Sequence, residues 1–204
     1  IVLTYLFPQL ETLPLYTVRG STVYASHLGL GFIFTAAITW INYLGVHFAM
    51  RAQIFLTGML IVSTLFFVAS GIIGGHTRNL NPLLISPSLA SNLEGILSVF
   101  VMAPFWFVGF DTIAQASEER VRGQRVQLLG YYIILSIVGS AVFYILVMIA
   151  VGMASPWQTI VQQKLPTAAA FESAFESTAI VNLVLLTGVI GLLTSWNGFF
   201  IAGT

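Results

Sequence analysis

The groups that could act chemically are few and closely set. Asp111 follows Pro104, Phe105, Trp106, Phe107, Val108, Gly109 and Phe110, inside an apolar run from Leu93 to Arg125 that Glu118 and Glu119 close. A carboxylate in that setting can gain and lose a proton: desolvation raises its pKa, while the amino end of a half-helix starting there opposes the rise. It can equally cap that half-helix, accepting hydrogen bonds from the amides two and three residues on. Around it stand Phe105, Trp106, Phe107 and Phe110. Packing alone is the plain account of these rings, but Phe105 or Phe107 is expected to face a cavity, where its ring can cover an ammonium or an apolar side chain. Glu118, Glu119, Arg120, Arg122 and Arg125 form either a solvated loop, with Glu118 and Arg122 paired at i,i+4, or an inner gate held by a salt bridge.

Thr194 and Ser195 are adjacent hydroxyls followed by Asn197. Paired hydroxyls with a freed carbonyl can coordinate sodium, although hydroxyls in membrane helices more often bond their own backbone. Gly188, Gly191, Ser195, Gly198 and Ala202 put small residues on one face of the same helix, a stripe that lets another backbone come close. His27, His47 and His76 fall at helix ends or in loops. No spacing resembles a zinc site, a nucleophile with its base or a phosphate-cradling loop, so no metal, cofactor or enzymatic activity is expected.

The element that must position Asp111 is a membrane helix interrupted near its midpoint. Pro104 removes a backbone donor and frees the carbonyl about one turn earlier, while Gly109 lowers the cost of leaving the helix. Freed backbone groups cost several kcal/mol each in hydrocarbon unless protein, water or a ligand satisfies them. A charge at that depth costs at least about 2.5 kcal/mol on the most lenient scale. The interruption therefore predicts a cavity with a functional site.

Composition sets the class. Of 204 residues, 57% are hydrophobic and 7% charged, against about a quarter charged in soluble domains. With about 20 residues needed to cross the hydrocarbon, spans are expected at about 28–49, 54–74, 95–117 (broken near 104–111), 128–153 and 179–202. They form a single all-α polytopic transmembrane domain embedded in lipid. Arg51 is placed in the joint between the first two spans, residues 16–26 are read as loop, and 168–175 as a short amphipathic run. Seven acids balance seven bases, which gives no sign of a nucleic-acid partner, and the absence of cysteine excludes disulfides. Arg120, Arg122 and Arg125 crowd one short loop, so that side is expected inside. Opening on Ile1 and stopping at Thr204 without a polar tail, the chain reads as an internal piece of a longer protein.

Three motifs carry a resemblance. Pro104 to Glu119, PFWFVGFDTIAQASEE, resembles the sixth-helix signature of the amino acid, polyamine and organocation (APC) superfamily of permeases. Asn42, Tyr43, Gly45 and Val46 resemble its joint between the fourth and fifth helices, and Thr194 to Gly203, TSWNGFFIAG, its eighth helix. The resemblance implies a piece running from the end of the third helix to the eighth, in a fold of two inverted five-helix repeats with a discontinuous helix.

It further implies a secondary transporter of amino acids or related amines, working by alternating access with proton coupling or exchange, in a plasma membrane of the bacterial inner-membrane kind. Substrate would lie at Phe105, Trp106, Phe107, Val108, Gly109 and Phe110, with Phe105 as an aromatic lid and Asp111 coupling protons. Glu118, Glu119 and Arg122 would form the inner gate, and 168–175 an outer loop over the vestibule. Two departures stand out. Arg120, Val121, Arg122 and Gly123 replace the usual Lys-Asn-Pro, and Leu60 takes a position where some proton-coupled relatives carry lysine. That second departure keeps a sodium-coupled symporter using Thr194 and Ser195 as the alternative. A non-transporting sensor or structural subunit of the same fold, and a channel, are the other readings.

Overall fold

A backbone inside hydrocarbon must satisfy its own N–H and C=O groups, so long apolar runs become helices. The computed structural model describes residues 2–18, 21–84, 88–109 and 126–203. In chain order these form α1 (Val2–Leu6), a hairpin of β1 (Pro14–Val18) and β2 (Ser21–Tyr24), α2 (Ala25–Tyr43), α3 (Val46–Gly74), a 3-10 turn at Thr77–Leu80, α4 (Leu89–Trp106), α5 (Val126–Ala154), the single turn α6 (Trp157–Ile160), α7 (Pro166–Phe175) and α8 (Thr178–Gly203). α3, α4, α5 and α8 are long and apolar enough to cross a bilayer. The chain is an all-α polytopic membrane protein that carries one small hairpin.

Three boundaries differ from the sequence reading. α4 begins at Leu89, six residues before the expected 95, because Ser91, Asn92 and Glu94 are carried in its first turns. The helix expected as the first span, α2, is not among the four apolar enough to cross; its joint with α3 lies at Leu44 and Gly45, and Arg51 falls inside the 29-residue α3. Gly45 takes φ +110°, a conformation that lets the chain reverse at once and costs most other residues about 1–2 kcal/mol. Residues 16–26 hold a hairpin and the start of α2 rather than a loop, with Tyr16 opposite Val23, Thr17 opposite Thr22 and Val18 opposite Ser21. Threonine and valine favour extended backbone, which the loop reading undervalued. The expected run at 168–175 is α7, and α5 and α8 keep within two residues of their expected limits.

The chain divides into two compact units. The first comprises residues 1–67 and 167–204. Its core holds Ile38, Ala49, Phe67, Phe171, Val181, Val184 and Leu185. α7 is seated by Phe171, which is fully buried, with ring centroids 4.6 Å from Phe67 and 5.5 Å from Phe175. α3 and α8 meet along part of the small-residue stripe. A Cβ at Gly191 would stand 3.6 Å from Leu60 Cδ1, and one at Gly198 3.5 Å from Gln53 Nε2. Outside the four apolar spans, the Tyr5 hydroxyl donates to the Glu172 carboxylate at 3.0 Å. That hydrogen bond, with burial and the carboxylate's charge behind it, raises the tyrosine's pKa above its ordinary value.

The second unit runs from Val68 to Pro166. Here the end of α3 lies against α5 at Gly71, where a Cβ would stand 2.8 Å from both the Cβ and the carbonyl oxygen of Ala150. The carbonyl of Met153, near the end of α5, accepts from the His76 amide at 2.9 Å and from Asn79 Nδ2 at 2.8 Å. Trp157 Nε1 donates to the Pro82 carbonyl at 3.0 Å. These bonds fix the connection that leads into α4, of which no part of the apolar span is buried.

Gly71 gives the fold its direct test. Gly71→Val forces α3 and α5 apart and lowers stability by about 1–3 kcal/mol, the usual cost of overpacking. The shift is read from thermal unfolding of the detergent-solubilised protein, and an unchanged midpoint would contradict this contact.

Candidate functional site

Ser91, Asn92 and Glu94 occupy the first turns of α4, and from Ile96 on the helix is apolar except for Ser98, whose hydroxyl donates to the Glu94 carbonyl at 2.8 Å. From Ile96 to Trp106 it rises roughly 15 Å, about half of the ~30 Å hydrocarbon thickness. There it ends. Phe107, the C-cap residue, leaves helical geometry at φ −103° and ψ 14°, and Gly109 follows at φ +115°. Pro104, one turn in, withholds the amide that the Phe100 carbonyl would otherwise receive. The helix thus stops at the residues where the sequence predicts an interruption. The second half-helix expected after it, with Phe110, Asp111, Glu118, Glu119 and Arg122, lies outside the described residues.

The three described aromatics divide their roles. Phe105 is 84% exposed and presents its ring to whatever surrounds the helix end. Trp106 and Phe107 pack edge-on against Tyr144 of α5, with centroids at 6.3 and 5.5 Å. The Tyr144 hydroxyl also donates to the Trp106 carbonyl at 2.7 Å. Among the described residues, Phe105 is therefore the ring available to a ligand and Phe107 the one engaged in packing.

On α8, Thr194 is buried and its hydroxyl donates to the Ile190 carbonyl at 2.7 Å, while Ser195 is exposed. The two hydroxyls face different sides of the helix, as successive helical positions must. One turn of α8 further on, Asn197 is only 1% exposed and joins three helices. Its Oδ1 accepts from Asn42 Nδ2 of α2 at 3.0 Å, and its Nδ2 donates to Gln53 Oε1 at 2.9 Å and to the Ala49 carbonyl at 3.3 Å, both on α3. Asn42 spends its other amide hydrogen on the Ile38 carbonyl at 2.9 Å. Two residues singled out by sequence in separate motifs, Asn42 and Asn197, are thus bonded to each other.

Thr64, buried on α3 one turn beyond Leu60, has a hydroxyl with no hydrogen-bond partner among the described residues. A cavity of about 660 Å³ is lined by Gly75, His76, Thr77, Arg78, Asn79 and Met153, and includes none of the expected site residues.

Sequence reasoning passed over Gln53 and Tyr144. An amide such as Asn197 in an apolar span signals that a partner must exist, because hydrocarbon supplies none, but its identity depends on which helices meet. Tyr144 carried no such signal, since tyrosine is common in membrane helices and needs a fold to give its hydroxyl an address.

The family model described as amino acid permease matches residues 6–204 of the chain. No curated protein and no solved structure matches it.

The amide cluster makes a separable prediction. Asn197→Leu strands the Asn42 and Gln53 amides and costs about 1–3 kcal/mol. The Asn42→Leu, Asn197→Leu pair is expected to cost less than the sum of the singles by at least about 0.6 kcal/mol, a typical membrane hydrogen-bond coupling. Denaturant unfolding in micelles measures both, and strict additivity would mean the bond contributes nothing.

Proposed function

We propose, for a chain that belongs to the amino acid permease family, secondary transport of amino acids or related amines by alternating access, with the substrate held at the end of α4. Membership points to transport rather than catalysis, and the apolar helices make this a multi-pass membrane protein. The observation that carries the site is the helix end itself: α4 stops at Trp106 after an apolar rise of about half a bilayer, and Gly109 turns the chain at φ +115°. Backbone groups released at that depth demand partners, and a solute with an ammonium and a carboxylate can supply them. Phe105 is the exposed ring that would cover it, and Trp106, Phe107, Val108, Gly109 and Phe110 complete the segment around it.

Asp111 is the group assigned to proton coupling. It stands two residues beyond the turn, where entry of water or closure of the site changes its solvation and hence its proton affinity. Glu118, Glu119 and Arg122 form the inner gate in this reading, and the membrane is the plasma membrane. Proton coupling or exchange is preferred because Asp111 offers a titratable carboxylate beside the turn, and a sodium ion held by Thr194 and Ser195 is the alternative. A sensor of the same fold that moves nothing is the rival.

Uptake of a labelled amino acid mixture into proteoliposomes distinguishes them. The protein is expected to show saturable uptake that follows a proton gradient rather than a sodium gradient. Gly109→Val is expected to reduce it at least tenfold, the cost of forcing a β-branched residue to positive φ, and Asp111→Asn to remove the proton dependence. Absence of flux for every amino acid, in protein shown to be inserted, would leave the sensor.

A further inference from the structure

The turn after α4 is fastened from outside its own helix. We infer that Tyr144 is a positioning residue for that turn: its hydroxyl holds the Trp106 carbonyl at 2.7 Å, while its ring seats Trp106 and Phe107. The inference rests on the proposal that the turn faces a solute pathway, and adds to it the group that sets the turn's resting shape.

The last carbonyls of any helix lack an intrahelical donor, and inside a membrane that donor has to come from protein or from the pathway the turn faces. Ala103 is served by the Phe107 amide at 3.2 Å. Trp106 is served by Tyr144. Phe143 adds a third ring, 5.7 Å from Tyr144, which limits the directions the tyrosine can take.

The consequence is mechanical. With no part of its apolar span buried, α4 depends on such end contacts for its position. A turn that must change shape to pass a solute has either to release the Tyr144 hydroxyl or to carry α5 along. Tyr144 touches no substrate in this account. It acts through the Trp106 carbonyl, and the ring and the hydroxyl make separate contributions.

The protein has no cysteine, so one can be introduced as a reporter. Val108→Cys is placed in the turn and Leu84→Cys in the connection before α4 as a control. Labelling by a membrane-impermeant maleimide is followed in proteoliposomes, with tyrosine at 144 and with Tyr144→Phe, which keeps the ring and removes the donor. The expected result is labelling at 108 at least threefold faster in Tyr144→Phe, with the rate at 84 unchanged. Should Tyr144→Phe fail to insert, O-methyltyrosine at 144 removes the donor while keeping ring and oxygen, and is expected to act in the same direction. Equal rates at 108 in both backgrounds overturn the role of the hydroxyl and leave the transport proposal standing. A cysteine at 108 that reacts in neither background overturns the pathway on which both rest.

Discussion

A polar group inside hydrocarbon has no solvent to fall back on, and the rest of this molecule follows from where it puts such groups. In water a group that loses its partner bonds solvent instead, so an intramolecular hydrogen bond contributes only about 1 kcal/mol net. In lipid each must be answered by another part of the protein. Asn197 is answered by Asn42, Gln53 and the Ala49 carbonyl, which joins α8 to α2 and α3. The Trp106 carbonyl is answered by Tyr144. Apolar packing discriminates weakly between neighbours here, because lipid tails are as greasy as leucine, so these bonds specify which helices meet.

Close approach does the remaining work. Gly71 lets α3 reach the backbone of α5 at Ala150, and Gly191 and Gly198 admit Leu60 and Gln53. Small residues and amides cooperate at one place: Gln53 touches Gly198 and also bonds Asn197, one residue before it. Elsewhere the helices show large apolar side chains such as Ile54, Phe55, Val62 and Phe100 outward, as surfaces meeting acyl chains do.

Helix existence was legible because uninterrupted apolar length has few alternatives in a membrane. The end of α4 was legible because Pro104 and Gly109 each alter the backbone in a known way. The joint at Gly45 was misplaced because charge was used as the marker: Arg51 suggested a surface, yet a long side chain can reach the headgroups from within a helix. The hairpin at Pro14–Tyr24 was hidden by its length, since alternation is read over about 4–8 residues and its strands, of five and four, lie at the short end of that range. The amide cluster was half legible. Asn42 and Asn197 were conspicuous by type, but their meeting spans 155 residues of chain, a distance that no local pattern encodes. Tyr144 was illegible for the same reason, 38 residues from its acceptor.

That long separation bears on how the chain is made. α2 and α3 are synthesised well before α8, and Gln53 precedes Asn197 by 144 residues. At about 5–20 residues per second, translation leaves roughly 7–30 seconds between their appearance. During that interval Asn42 has the Ile38 carbonyl of its own helix as an acceptor, but Gln53 has no Asn197 to meet. Arrival of α8 is therefore the event that completes the amide cluster and joins the three helices.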